Sequence, residues 1–280
     1  ANPFYAEMVY RIESFLADAG YRVILCNSDD HPDLEEQYFE MLLSNQVDGI
    51  ITGAHSQVVA NLPHVQAPLV TVDRPGTQKY PNIRADNYAG ARMAVEHLVA
   101  TGSRNILHIT STVSEQNLRL AGYRDAVTAA GMTPQVLELG FRTPLPRKRE
   151  LIERYLKEST AGERVDAVFA SNDTYAAMTL SWARTRNLCV PQDFQVVGFD
   201  GTETVRALIP ELATVVQPIE QIAARAVQRL LQTIESGRQG RPDDTPSPHK
   251  SDKKQQGSTA DVFPVHLHEG GTLRAITASS

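Results

Sequence analysis

The stretch Gln195-Val196-Val197-Gly198-Phe199-Asp200 runs through apolar residues into a glycine, an aromatic ring and a carboxylate. Such a run is a buried strand that presents polar groups at its carboxyl end. Upstream, Ala167-Val168-Phe169-Ala170-Ser171-Asn172-Asp173 has the same form. Two strands that end this way, with a helical segment between them, make the mouth of a parallel sheet, where open α/β sheets hold their ligands. Asx residues after a strand also cap helices. Asp173 reads as such a cap, whereas Asp200, followed by Gly201-Thr202 and no immediate helical run, reads as a site residue.

Working outward, the α/β alternation holds on both sides. Toward the N-terminus, Phe4, Met8, Ile12, Phe15, Leu16 and Ala19 recur with a helical period, and Gly20 closes that helix. Tyr21–Cys26 reads as a buried strand, 33–45 as a helix, and 47–52, 68–72 and 82–85 as strands. Helices follow at 87–101, 118–130, 147–158 and 174–186, with strands at 106–110, 135–139, 167–171 and 195–199. A strand at 213–217 leads into an amphipathic helix over 219–235 carrying Ile219, Ile222, Ala226, Leu230 and Ile234. Residues 237–261, rich in Gly, Pro, Ser, Lys and Asp, read as a flexible polar loop. Val262–Leu267 then reads as a single returning strand.

This rhythm predicts two similar Rossmann-like lobes, each a parallel sheet flanked by helices. One lobe takes residues 1–84 plus 214–236, and the other takes 85–212 plus 262–280. The first helix has no strand before it, so a first strand is missing from the pattern. At 280 residues the length suits two domains. With 27 basic against 33 acidic residues, a broad nucleic-acid-gripping face is not expected in this polypeptide. No apolar run nears the ~20 residues that span a bilayer. Cys26 and Cys189 lie among apolar residues and read as two buried thiols of a reducing compartment. Ala1 is an uncommon natural start, so the chain is expected to be a mature or truncated piece.

Several tracts occur in an order that carries a resemblance. They are Asn2-Pro3-Phe4-Tyr5, Val47–Ile51, Val72-Asp73-Arg74, Ala85-Asp86-Asn87, Val95–Leu98, Arg119–Arg124, Ser171-Asn172-Asp173, Val190–Asp193 and Val197–Asp200. Together they resemble the effector-binding core of the LacI/GalR family of bacterial transcription regulators, over nearly all of the chain outside 237–261. The resemblance implies a type I periplasmic-binding-protein-like fold with a sugar or other small metabolite in the cleft. It also implies a cytoplasmic homodimer that sets two N-terminal helix-turn-helix domains on operator DNA. That domain, its hinge and the first strand are absent from these residues, and the acidic balance agrees with DNA contacts lying elsewhere.

Site residues follow from the same resemblance, one position at a time. Phe4 and Tyr5 would start the first helix beside the ligand, one ring stacking on its apolar face while the other is core. Asp73 and Arg74 follow a strand, as does Asp86, with Asn87 read as the cap. Arg119 offers a fork of donors for adjacent hydroxyls, a carboxylate or a phosphate. Phe141 matches an aromatic position, Asn172 and Asp200 combine strand-end position with the match, and Ile219 would add apolar lining. A neutral sugar is the expected effector, with a purine or nucleoside as the second choice.

Other functions find less in the sequence. No G-x-G-x-x-G, Walker loop or G-x-S-x-G elbow appears, and the histidines show no H-E-x-x-H spacing. No catalytic residue, cofactor or metal is therefore expected. His97 reads as a packing residue, and His266 with His268 as a hydrogen-bonded or solvated pair on one strand face. The alternative within the same fold is a periplasmic sugar-binding protein of a transport system. The codons upstream would separate the two, encoding either a helix-turn-helix domain or a signal peptide.

Overall fold

A computed structural model describes residues 2–53, 67–73, 79–159, 164–239 and 260–276. In chain order its elements begin with helices α1 (Pro3–Asp18) and α2 (Pro32–Ser44), then strands β1 (Ile50–Thr52), β2 (Leu69–Val72) and β3 (Asn82–Ala85). Next come α3 (Asn87–Ala100), β4 (Ile106–Thr110), α4 (Leu118–Ala129), β5 (Gln135–Glu138), α5 (Leu145–Glu158), β6 (Ala167–Ala170) and α6 (Asp173–Thr185). The chain finishes with β7 (Gln195–Asp200), α7 (Glu203–Leu208), β8 (Ala213–Val216), α8 (Ile219–Gln239), β9 (Ala260–Phe263) and β10 (His266–His268). Two compact units divide these elements. One holds Met8–Ala85 and Ile219–Phe263, the other Ala1–Glu7, Asp86–Pro218 and Pro264–Ser280.

The first unit carries a four-stranded sheet in the order β1-β2-β3-β9, parallel throughout. β2 is buried along its whole length, as expected of a parallel strand covered on both faces. On one side α8 buries Ile222, Ala226, Leu230 and Ile234, a spacing that keeps one stripe of the helix inward. Leu230 packs so closely on Gly49 that a Cβ there would sit 2.7 Å from its Cδ1. Phe39 of α2 joins Ile50, Leu69 and Tyr80 in a separate apolar cluster. Arg225 and Arg229 of α8 both hold Asp261 of β9, at 2.7 and 2.9 Å. Hydrogen bonds from Arg229 first and then Arg225 hold that carboxyl down at about 2.

The second unit carries a six-stranded sheet in the order β10-β8-β7-β6-β4-β5, parallel except for β10, which runs antiparallel to β8. One face is covered by α3 and α4 through Ala91, Val95, Leu98, Leu120 and Tyr123, the other by α5 and α6 through Ile152, Leu156, Ala176 and Trp182. The two helices on the first face come very close at Gly122, where a Cβ would meet the Tyr88 carbonyl oxygen at 2.5 Å. The Tyr123 hydroxyl lies 2.7 Å from the Ile106 oxygen and accepts the Gln135 N–H at 2.8 Å, joining β4 to β5. Behind it His108 is wholly buried, stacked on Tyr123 and Phe169 with Nδ1 3.0 Å from the Phe169 oxygen.

Several expectations are corrected. Tyr21–Cys26 forms no ladder, and Val23, Ile24 and Leu25 are 38, 63 and 67% exposed. A strand exists only through its hydrogen-bonded neighbours, and no described segment pairs with this one. The single strand expected over 262–267 is two, because Pro264 lacks an N–H and the chain changes sheets there, β9 pairing with β3 and β10 with β8. Accordingly β8, placed by sequence with the first lobe, joins the six-stranded sheet, while β9 joins the four-stranded one. Residues 2–7 also go with the six-stranded unit. Of the expected polar loop, 240–259 lie outside the described residues, the helix before it reaching Gln239 and the strand after it starting at Ala260. Both cysteines are free, Cys26 half-buried and Cys189 exposed rather than buried.

Candidate functional site

Strand order locates the site. From β4 the chain goes outward to β5 and returns past β4 to β6, so the winding direction reverses between β4 and β6. Open sheets splay their connections apart at such a point, leaving a crevice beyond the carboxyl ends. The residues set there are polar: Ser111 after β4, Ser171 after β6, Asp200 ending β7 and Gln217 just past β8. Ser171, Asp200 and Gln217 are all buried.

Arg119, in the first turn of α4, is the hub of this cluster. Its Nη1 lies 3.1 Å from Asp200 Oδ1 and also donates to the Ser171 carbonyl, while Nε donates to Asn87 Oδ1 at 2.6 Å. The guanidinium lies over the Phe199 ring, 3.8 Å from its centroid, adding a cation–π contact. Asp200 receives two further donors, Asn2 Nδ2 on Oδ2 at 3.0 Å and Gln217 Nε2 on Oδ1 at 2.9 Å. Asp200 adopts φ +110°, a strained value for a non-glycine residue. Gln217 Oε1 is buried and makes no hydrogen bond among the described residues. Donors and acceptors thus alternate around a nearly dry charge pair, an arrangement able to exchange hydrogen bonds with ligand hydroxyls.

The other sequence-derived residues are distributed as follows. Phe4 is buried at 2% exposure while Tyr5 is half-buried, their rings meeting edge to face at 5.1 Å. Asn172 caps α6, its side chain accepting the Tyr175 N–H at 2.9 Å. Asp86 caps α3 by accepting the Ala89 N–H, and it is Asn87, expected as the cap, that faces Arg119. Phe141 is half-buried, and its carbonyl accepts the Lys148 ammonium at 3.0 Å. Asp73, at φ +69°, and Ile219, buried at the start of α8, belong to the four-stranded unit. Arg74 lies outside the described residues. Among the described residues, no group of three or more His, Cys, Asp or Glu is placed to hold a metal ion.

Four members of the cluster were not named as ligand residues from sequence: Asn2, Asn87, Phe199 and Gln217. Gln217 carried a usable signal, since Ala213-Thr214-Val215-Val216-Gln217 is again an apolar run ending on a polar residue. The run after Asp200 also hides a helix, α7, whose Thr202 side chain accepts the Val205 N–H at 3.3 Å. Asp173, expected as a cap, instead points back into the sheet end.

Residues 95–251 match the family model described as a periplasmic binding protein-like domain. That defines the class, a two-lobed α/β ligand-binding protein. The sucrose operon repressor of Pediococcus pentosaceus is 38% identical over 239 residues, covering 84% of this chain and 72% of that protein. The ribose operon repressor of Halalkalibacterium halodurans is 31% identical, covering 84% and 70%. A crystal structure of a periplasmic binding protein/LacI transcriptional regulator from Alkaliphilus metalliredigens QYMF, complexed with D-xylulofuranose, superposes with a TM-score of 0.79 at 28% identity. That match covers 98% of this chain and 96% of the other. The chain belongs to the LacI/GalR family of transcription regulators. The matched region is the effector-binding core of a regulator of this kind, not an enzyme, and the relatives favour the regulator over a transport-system binding protein.

Proposed function

We propose that the effector is a neutral sugar, bound at the carboxyl ends of the six-stranded sheet by Arg119 and Asp200. The carrying observation is that charge pair, buried and ringed by the amides of Asn2, Asn87 and Gln217. Side by side, the carboxylate accepts from one hydroxyl and the guanidinium donates to the next, the pattern that neighbouring sugar hydroxyls require. Tyr5 and Phe141 would cover the apolar face of the ring, with Phe4 packed behind Tyr5 and Asn172 supplying its amide. Asp86 is a further ligand-side residue in this reading. The names of the relatives, sucrose and ribose operon repressors and a D-xylulofuranose complex, support a sugar over an anionic ligand.

The chain would act in the cytoplasm as a homodimer, its operator contacts made by an N-terminal helix-turn-helix domain outside these residues. The net charge of −6 agrees with DNA being held elsewhere. Effector and operator affinities would then be linked through the sheet-end site. A thermal-shift panel of D-xylulose, D-ribose, sucrose, their phosphates and nucleobases tests the ligand class. At ~100 times its dissociation constant a ligand adds about 2.7 kcal/mol of stability, a clear shift. Stabilisation by a neutral sugar supports the proposal; stabilisation only by a nucleobase or a phosphate ester overturns it.

A further inference from the structure

Asp173 makes none of the contacts expected of a helix cap. It is 2% exposed, and its Oδ2 accepts the Gly201 N–H at 2.8 Å while Oδ1 accepts the Thr214 hydroxyl at 2.5 Å. Space for the carboxylate exists only because residue 198 is glycine, since a Cβ there would lie 2.3 Å from Asp173 Oδ1. The Gly201 amide that Asp173 holds belongs to the peptide leaving Asp200. Asp200 at φ +110° and Gly201 at φ +61° are consecutive residues in the left-handed region, and a Cβ added to Gly201 would lie 2.7 Å from Val216 Cα. Such a backbone persists only where its surroundings over-determine it. The tethers here are Gln217 N–H on the Asp200 carbonyl at 3.1 Å, Arg206 Nε on the Gly201 carbonyl at 3.0 Å, and Asp173 on the Gly201 N–H.

We propose that Asp173 is a positioning residue for the effector site: by holding the peptide after Asp200, it aims the Asp200 carboxylate at Arg119, Asn2 and Gln217. This rests on the sugar-binding reading above for its functional consequence, but not for its geometry. The charged groups facing Asp173 are Asp200 on β7 and Arg119 on α4, while β8 offers only the uncharged Thr214. Burial, and then the Asp200 charge, push its carboxyl up to about 7. Both its ionised and its neutral forms can accept the Gly201 N–H, because the Thr214 hydroxyl can either donate or accept. Asparagine reproduces the neutral form, with its oxygen on Gly201 and its amide on Thr214.

The test compares Asp173→Asn and Asp173→Ala by site-resolved amide exchange and by calorimetry with D-xylulose and D-ribose. In D173A the Gly201 amide exchanges at least 30-fold faster than in the parent, while the amides of Val196–Phe199 are unchanged and sugar affinity falls more than tenfold. In D173N both quantities return to within about threefold of the parent, whereas Asp173→Leu, which keeps much of the bulk but cannot accept the Gly201 N–H, exchanges as fast as D173A, a split that a purely packing role would not give. If D173A does not fold, Thr214→Val, which removes one of the two partners, speeds Gly201 exchange and weakens sugar binding severalfold. Unchanged Gly201 exchange in D173A, or in T214V where the alanine variant is unfolded, overturns the proposal; so does a D173N as damaged as D173A. If the parent binds no neutral sugar, the ligand assignment fails, and the exchange data alone still decide whether Asp173 holds the turn.

Discussion

Replacing Arg119 by methionine and Asp200 by asparagine, singly and together, isolates the charge pair at the centre of the site. Asparagine keeps the shape of the aspartate and tolerates a left-handed backbone, and methionine keeps much of the arginine stem. At 3.1 Å the two charges interact by at most about 5 kcal/mol at an effective dielectric near 20. The side chains are only 15% and 2% exposed, so solvent screens the pair weakly. Each single change therefore leaves a buried charge without its main partner and costs about 3 kcal/mol. The remaining donors on Asp200, Asn2 and Gln217, and the remaining acceptors for Arg119, Asn87 and Ser171, moderate that cost. The double variant should cost less than the sum by about 2 kcal/mol or more. Urea unfolding followed by tryptophan fluorescence is a direct assay, because the chain has one tryptophan, Trp182, buried on the six-stranded unit. Costs that add within about 0.5 kcal/mol would mean that the pair is not coupled, and would refute the reasoning.

Three other outcomes follow from the same geometry. His108, whose burial drives its pKa down to about 3, stays neutral in the fold while its unfolded form titrates near 6.5. Stability should therefore fall as pH drops from about 6.5 toward 3, and His108→Phe should remove that part of the acid loss in urea titrations. Gly122→Ala should cost about 2 kcal/mol, since its methyl would meet the Tyr88 backbone, whereas Gly131→Ala, which meets nothing, should cost about 1 from its φ of +74°. Asp261→Asn should destabilise the four-stranded unit by no more than about 1 kcal/mol at pH 7, because the pair is partly exposed. That effect should fade as pH falls through about 2, where the folded Asp261 itself becomes protonated.

The strands at 167–170 and 195–200 were legible because buried parallel strands are continuous apolar runs, and their polar endings supply the proposed site. Arg119 and Asp200 were legible through the family tracts, and the structure brings them together. Tyr21–Cys26 forms no strand because an apolar, β-prone run describes only what a strand could bury, whereas its existence depends on a neighbour that sequence does not specify. In both Asp86-Asn87 and Asn172-Asp173 the first residue caps the helix and the second reaches into the site end. Each pair contains two good cap residues, so composition alone cannot assign the roles; they depend on which residue lies half outside the helix. Pro264 was visible, yet the change of sheet it accompanies depends on long-range pairing with β3 and β8.

Calorimetric titration of this chain with D-xylulose, D-ribose and sucrose, repeated on Asp200→Ala and Arg119→Ala variants shown to be folded, tests the central claim most directly. Saturable one-site binding of a neutral sugar by the parent, lost in both variants, is the expected result. Equal affinity in the parent and both variants would place the effector away from the Arg119–Asp200 pair and contradict the account.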